Sequence, residues 1–119
     1  MRTKKIDAEY TAAGQIAPRD VEVVHAMGFR SILCLRPDDE TGPDGQPEEG
    51  QPLFEEIAAA ARLAGLEAAH LPVAGSGSGS GPTEADAARF REVMERLPKP
   101  VLAYCRAGGR ARRLREMTA

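Results

Sequence analysis

The chain has 119 residues, of which 42% are hydrophobic and 29% charged, and its formal net charge is −2. These values suit one globular domain spanning residues 1–119, and they give no reason to expect a nucleic-acid partner. No stretch approaches the roughly 18 consecutive apolar residues of a membrane-spanning helix, so we expect no membrane association.

The N-terminus and the cysteines predict a cytoplasmic location. The basic residues that open the chain are not followed by the apolar segment of a secretory signal. The two cysteines, Cys34 and Cys105, form neither a metal-ligand spacing nor a disulfide framework. We therefore expect free thiols in a reducing compartment, with no metal and no other cofactor.

Alternating apolar patterns give the predicted elements in chain order. A short first strand within residues 4–16 is one possibility. Three helices then follow, each leading into a buried strand: a helix at 18–28 and a strand at 30–37, a helix at 53–65 and a strand at 66–73, and a helix at 83–97 and a strand at 99–105.

Two polar segments separate these elements. Residues 38–52 form an acidic loop rich in Gly and Pro, and residues 75–81 form a Gly-Ser segment with the composition of a flexible linker. Directly after the second segment, Thr83 and Asp86 have the spacing of a helix capping box, with Asp in place of Glu.

The repeated order of helix and strand is typical of an α/β fold, and we predict a small parallel sheet flanked by helices. In open sheets of this kind, ligands bind beyond the carboxyl ends of the strands. Cys105 lies at the carboxyl end of the last predicted strand. The sequence therefore places a site at the loop that begins with this cysteine.

The loop itself reads Cys-Arg-Ala-Gly-Gly-Arg from Cys105 to Arg110, and a helix is predicted over 110–117. Backbone N–H groups at a helix N-terminus lack intrahelical partners and favour anions. Gly108 and Gly109 can adopt positive φ angles, which would turn successive amides inward as an anion nest. The guanidinium of Arg110 could bind two oxygens of the same anion.

Such surroundings favour the Cys105 thiolate over the thiol and would make its sulfur a nucleophile. We therefore predict Cys105 and Arg110 as catalytic residues. The rest of the loop is predicted to bind substrate, namely Arg106, Ala107, Gly108 and Gly109. The structural alternative is a small buried cysteine that ends a strand before an ordinary turn.

Two chemistries use a cysteine loop of this type. Cysteine phosphatases carry Cys-(x)5-Arg, usually after a histidine, and need a general acid for the leaving oxygen. Here Arg110 follows after four residues, Ala111 holds the position of the longer motif's arginine, and Tyr104 precedes Cys105. The loop where the acid is expected reads AGSGSGSGP and has no ionisable residue. These features favour rhodanese-type sulfur transfer, which needs no such acid.

Three segments together resemble a known bacterial family. They are GQIAPRDVEVVHAMGFRSILCLRPDDE, FEEIAAAARLAGLEAAHLPV and PVLAYCRAGGRA, which match in order, and the resemblance as a whole covers about Ile6 to Arg115. The chain is similar to the phosphatase-like domain of beta-lactamase-hydrolase-like proteins, a family also described as sulfurtransferases. The resemblance implies a dual-specificity-phosphatase-like fold, with Cys105 as nucleophile and Arg106 and Arg110 in its loop.

The resemblance also implies sulfur handling, because relatives are fused to persulfide dioxygenase or metallo-hydrolase domains, and a partner of either kind is expected. Relatives continue through further helix after the position of Ala119, so a homodimer that completes the core is a further hypothesis. The family loop usually reads closer to Cys-Arg-Ser-Gly-Thr-Arg-Ser. In this chain Ala107, Gly109 and Ala111 replace its three hydroxyl residues.

The sequence-based prediction is a sulfurtransferase. Cys105 would take the outer sulfur of a small anionic donor, either thiosulfate or a persulfide, and a thiol acceptor would remove it. One alternative is a cysteine-dependent phosphatase of the dual-specificity type. The other is a catalytically weak module that binds anions or persulfides, an option that the missing hydroxyl groups keep open.

Four further polar residues lie near strand ends or within a strand. Arg36 is a candidate for framing the anion site, and Asp38 is interpreted as a capping or turn residue. His70 could line the site, although a structural histidine is the favoured interpretation. Cys34 lies among apolar residues and is predicted to be a core thiol.

Overall fold

A computed structural model describes residues 1–40, 50–74 and 81–119. The predicted flexible Gly-Ser segment, apart from Gly81, and most of the acidic loop lie outside these ranges. The described elements are β1 (Thr3–Asp7), β2 (Tyr10–Ala13), α1 (Val21–Ala26), β3 (Ser31–Cys34), α2 (Phe54–Ala64), β4 (Glu67–His70), α3 (Glu84–Arg96), β5 (Val101–Tyr104) and α4 (Gly109–Met117). None of the helices described here is long and apolar enough to cross a membrane.

The strands form one sheet in the order β1-β2-β5-β3-β4. The neighbouring pairs among β2, β5, β3 and β4 are parallel, whereas β1 pairs antiparallel with β2. The α/β class is confirmed: β2, β5, β3 and β4 form the predicted small parallel sheet, to which β1 adds an antiparallel edge strand. Only Ala8 and Glu9 separate β1 from β2, and so short a connection can join only antiparallel strands.

Helices cover both faces of the sheet. Along β3 and β5, successive side chains alternate between two apolar clusters, as the two-residue period of a strand requires. One cluster contains residues of α3 and α4, and the other contains residues of α1 and α2. Because β3 and β5 are buried on both faces, their sequences are almost continuously apolar, which is why they were predicted as core strands.

Local signals set the helix ends. Gly65 ends α2 with a φ of 84°, and Thr83 caps α3 by accepting a hydrogen bond from the Asp86 N–H at 3.1 Å. The capping box is therefore confirmed. The helix predicted at 18–28 is shorter: a 3-10 turn at Pro18–Asp20 leads into α1.

Contacts of Tyr10 and Arg115 attach α4 to the N-terminal hairpin. The buried Tyr10 hydroxyl donates to the carbonyl oxygen of Ala111 at 2.7 Å, and burial raises the pKa of this hydroxyl. Arg115 Nε donates to Asp7 Oδ2 at 2.9 Å, and this hydrogen bond lowers the pKa of Asp7. The start of α4, which follows the cysteine loop, is thus held against β2.

Two leucine truncations test this core. Leu33 is fully buried in β3, whereas Leu63 on α2 is 93% exposed. Leu33→Ala is expected to lower the free energy of unfolding by about 3 kcal/mol, because it removes core contacts and leaves a cavity. Leu63→Ala should change it by less than about 0.5 kcal/mol. Urea titration followed by circular dichroism measures both, and similar losses would contradict this assignment of the core.

Candidate active site

The parallel strands all end at the same edge of the sheet, and the residues that follow them build the candidate site. In spatial order these residues are Gln15 after β2, Cys105 and Arg110 after β5, Arg36 and Glu40 after β3, and Val73 after β4. Cys105 therefore follows a central strand, with polar side chains from the strands on either side. This is the edge at which the sequence predicts a ligand site.

Backbone contacts hold Cys105 at the base of its loop. The Cys105 N–H donates to the carbonyl oxygen of Ala13 at 3.1 Å, which extends the pairing of β5 with β2 by one residue. Its sulfur accepts a hydrogen bond from the Gly108 N–H at 3.1 Å, and the residue is only 1% exposed. The Gly108 N–H is thus a donor that faces the sulfur at the base of the loop.

Gly108 makes this contact possible. Its φ of 95° lies in the left-handed region, and it precedes the first residue of α4. Such a conformation strains any residue with a Cβ atom. The expectation that Gly109 shares a positive φ is wrong, because Gly109 is already the first residue of the right-handed helix.

The loop also packs closely on the residues after β2. The N–H of Gln15 donates to the carbonyl oxygen of Arg106 at 3.1 Å. A Cβ atom on Gly14 would lie 3.3 Å from that same oxygen, closer than side-chain carbons normally approach. A glycine at position 14 therefore lets the cysteine loop rest directly on the end of β2.

Arg110 is buried and makes a two-pronged ion pair with Glu40. Its Nη1 donates to Glu40 Oε1 at 2.6 Å, and its Nη2 donates to Oε2 at 3.0 Å. Nη1 also donates to the carbonyl oxygen of Val73 at 2.9 Å. The guanidinium is thus fixed in direction by contacts with residues that follow β3 and β4.

Arg36 binds the same carboxylate from the other side. Its Nε donates to Glu40 Oε2 at 2.7 Å, and its Nη1 donates to Gln15 Oε1 at 2.8 Å. Arg36 is 1% exposed, so its charge is largely removed from water. The predicted placement of Arg36 near the site thus agrees with the structure, with Glu40 joining it to Arg110. We refer to Arg36, Glu40 and Arg110 as the arginine–glutamate cluster.

The cluster keeps Glu40 ionised. Burial alone would raise the pKa of its carboxyl, but the hydrogen bonds and charges of Arg110 and Arg36 outweigh that effect and lower the pKa below the usual 4.5. Glu40 therefore acts as an anion and a hydrogen-bond acceptor at neutral pH, and it is poorly suited to donate a proton.

The other residues of the loop and the residue after it differ in their exposure to solvent. Arg106, Ala107 and Gly109 are exposed at the outer side of the loop. Ala111 is fully buried and packs in the cluster of α3 and α4. Ala111 therefore serves the core, which agrees with its exclusion as an anion-binding position.

Three other residues considered in the sequence analysis make their hydrogen bonds away from the cysteine loop: His70, Asp38 and Cys34. His70 stacks on Phe54 at 4.7 Å between ring centroids, and its Nε2 lies 2.8 Å from the carbonyl oxygen of Arg36. Asp38 accepts a hydrogen bond from the Phe54 N–H at the start of α2. Cys34 is buried with Tyr104 in the cluster opposite Cys105, and burial raises the pKa of its thiol. All three positions match the structural interpretations.

Glu40 and Gln15 are site residues that the sequence did not single out. Glu40 belongs to an acidic segment that was interpreted as a loop, and Gln15 precedes the first predicted helix. Both follow strands whose carboxyl ends meet beside β5. Two features of the sequence could have pointed to them. Both follow a strand, and Arg36 and Arg110 at the same edge of the sheet need a counter-charge.

A cysteine after a central parallel strand, a short glycine loop and an arginine at the start of the next helix, within this α/β fold, define a phosphatase-like protein. Comparison with known families agrees with this class. The chain belongs to the family described as "Beta-lactamase hydrolase-like protein, phosphatase-like domain", whose model matches residues 2–118.

Curated relatives share the family but are much longer. A beta-lactamase hydrolase-like protein of Agrobacterium fabrum is 37% identical over 93% of this chain, and one from Xylella fastidiosa strain Temecula1 is 39% identical over the same share. The matched part is 23% of each relative. This chain therefore corresponds to about a quarter of the length of those proteins.

Solved structures support the fold. A candidate phosphatase from Neisseria meningitidis is 32% identical, with a TM-score of 0.76 over 92% of this chain and 70% of the other. The active form of Tk-PTP is 23% identical, with a TM-score of 0.66 over 94% of this chain and 67% of that one. At that identity the second match supports the fold alone.

Two alanine substitutions test the left-handed turn. Gly108 and Gly28 both have a φ of 95°, so either change to alanine should cost about 1 to 2 kcal/mol of stability through backbone strain. Only Gly108→Ala disturbs the N–H that faces Cys105, and it should slow alkylation of Cys105 by iodoacetamide several-fold at pH 7. Mass spectrometry of the labelled peptide measures the rate. Equal rates in the two variants would contradict a specific role for Gly108.

Because Glu40 is held ionised in the arginine–glutamate cluster, we expect the stability difference between the wild type and Glu40→Gln to depend on pH. Glu40→Gln removes the carboxylate charge that two buried guanidinium groups share, and it should cost about 3 kcal/mol at pH 7. Because the pKa of Glu40 is lowered in the folded state, its contribution is complete above about pH 4.5 and declines as the pH falls through the folded value. The difference from the wild type should therefore narrow below pH 4.5.

Urea titrations from pH 7 downward measure this difference. Glu92→Gln on the exposed side of α3 removes the same charge and is the control. It should show a change of less than about 0.5 kcal/mol throughout. A Glu40→Gln difference that stayed constant down to pH 3 would show that the carboxylate charge is not what stabilises the cluster.

Proposed function

We propose that the chain is a cysteine-dependent phosphatase that acts on phosphate monoesters through Cys105. The observation that carries this proposal is the hydrogen bond from the Gly108 N–H to the Cys105 sulfur, in a loop whose arginine is fixed in direction at the same strand ends. Membership in a phosphatase-like family and similarity to the Neisseria candidate phosphatase support it. The sulfurtransferase prediction becomes the second candidate.

The reaction would proceed in two displacement steps. The Cys105 thiolate attacks phosphorus, and the S–P bond forms as the bond from phosphorus to the leaving oxygen breaks. Water then attacks the phosphocysteine, which releases inorganic phosphate and returns the thiolate. Arg110 and the loop amides would stabilise the charge on the non-bridging oxygens in both transition states.

The ionised state of Glu40 bears on the leaving group. A phosphatase acting on alkyl esters needs an acid to protonate the departing oxygen. Glu40, the carboxylate bound to Arg110, is held ionised by two guanidinium groups. We therefore propose substrates whose leaving oxygen departs as a weak base, such as aryl phosphates.

Sulfur transfer remains the second candidate because of the loop length. Four residues separate Cys105 from Arg110, and the buried Ala111 cannot supply the arginine of a longer loop. In this reaction the thiolate attacks the outer sulfur of thiosulfate and sulfite leaves. The resulting Cys105 persulfide then passes its sulfur to an acceptor thiol. The second proposal also includes a thiol acceptor and a hydrolase partner, which is either fused to this domain or separate.

Two assays on the same purified chain separate the candidates. With p-nitrophenyl phosphate we expect steady release of p-nitrophenolate, reduced at least about 1,000-fold in Cys105→Ser because the nucleophile is lost. Incubation with thiosulfate, followed by intact mass, tests for the gain of one sulfur atom on Cys105. Sulfur gain without phosphate turnover would overturn the phosphatase proposal in favour of sulfur transfer.

Cys34→Ala is the matched thiol control. Cys34 is the other free cysteine and is buried in the opposite cluster. The Cys34→Ala variant should therefore turn over p-nitrophenyl phosphate within about twofold of the wild-type rate, compared at equal folded fraction. If Cys34→Ala lost turnover while Cys105→Ser stayed active, the assignment of the nucleophile to Cys105 would be wrong.

A further inference from the structure

We propose that Glu40 is a positioning residue that holds Arg110 so that one free edge of its guanidinium receives the substrate oxyanion. This inference rests on the proposed function for its effect on turnover, but its effect on anion binding is independent of any reaction. It goes beyond the predicted pair of Cys105 and Arg110, because it assigns a role to a carboxylate in a site that binds anions.

The donors of Arg110 can be assigned one by one. Nη1 uses both of its hydrogens, on Glu40 Oε1 and on the Val73 carbonyl oxygen. Nη2 uses one, on Glu40 Oε2. The Nε hydrogen and the second Nη2 hydrogen remain, and neither meets an acceptor within the described residues. These two hydrogens lie side by side on one edge of the planar group, the geometry that binds two oxygens of one anion.

Glu40 is itself held against rotation. Its Oε2 accepts from Arg36 Nε as well as from Arg110 Nη2. Arg36 is in turn held by Gln15, which follows β2, and the Gln15 N–H also donates to the cysteine loop. The carboxylate is thus supported by residues that follow the strands adjacent to β5, so its direction is determined by the sheet.

If Glu40 competed with the substrate anion instead of positioning Arg110, its substitution would have the opposite effect on anion binding. If Glu40 simply occupied the place of the substrate anion, or repelled it, removing its charge would tighten anion binding. If Glu40 positions Arg110, removing or shortening it lets the guanidinium turn, and anion binding weakens despite the more favourable net charge. The direction of change therefore distinguishes the two roles.

The test uses protection of Cys105 by inorganic phosphate. The full chain is alkylated with iodoacetamide over a range of phosphate concentrations, and mass spectrometry of the Cys105 peptide gives the dissociation constant of phosphate. Glu40→Gln keeps the shape of the side chain and removes its charge, whereas Glu40→Asp keeps the charge and shortens the reach. We expect both variants to weaken phosphate binding about 10- to 100-fold, since small displacements of a positioning group have effects of this size.

Turnover of p-nitrophenyl phosphate provides the second readout. Both variants should lower kcat/KM by a similar factor, whereas Glu92→Gln should match the wild type in both assays. Circular dichroism identifies the folded fraction of each variant. Glu40→Asp is the variant that keeps the test decisive if the uncharged one does not fold.

The outcomes separate this inference from the proposed function. Unchanged or tighter phosphate binding in folded Glu40→Asp or Glu40→Gln overturns the positioning role, whatever the turnover. A wild type that binds phosphate but does not hydrolyse the aryl ester overturns the phosphatase proposal. In that case, weaker phosphate binding by both variants still supports the role of Glu40.

Discussion

The carboxylate of Glu40 between two guanidinium groups is the interaction on which the candidate site depends. Arg36 and Arg110 are both buried, and unpaired charges in such positions would be costly. One carboxylate accepts from both, at 2.6 Å from Arg110 and 2.7 Å from Arg36. The two arginines can therefore lie together at the strand ends, on the same carboxylate.

The sheet order explains why so small a chain can build this arrangement. β5 lies between β2 and β3, so the loop after it has neighbours on both sides. Gly14 and Gln15 support the outer turn of the loop through the Arg106 carbonyl, and Glu40 holds Arg110 at its end. The sulfur lies between these supports and receives its hydrogen bond from the left-handed Gly108. Cys105 and Arg110 are thus fixed by backbone contacts as well as by side chains.

The sequence predicted the elements whose signals are local. β3 and β5 were found because strands buried on both faces are apolar at every position, and the capping box of α3 was found because its two residues are three apart. The cysteine loop followed from its glycines and arginines. Where the β1–β2 hairpin lies, the sequence suggested only one short strand, because the residues there alternate weakly in polarity and the turn has only two residues. Glu40 was not singled out, since its pairing with Arg110 joins residues 70 positions apart in the chain.

The replaced hydroxyl positions of the loop now have distinct physical meanings. Ala107 and Gly109 are exposed, whereas Ala111 is buried and its carbonyl oxygen accepts the Tyr10 hydroxyl. A hydroxyl at position 111 would have to find a partner inside the cluster of α3 and α4, so an alanine there supports packing beneath the site. In this loop the donor that the structure places on the Cys105 sulfur is a backbone N–H. The contact to the Cys105 sulfur therefore depends on the left-handed turn at Gly108, and it does not need the hydroxyl groups that positions 107, 109 and 111 lack.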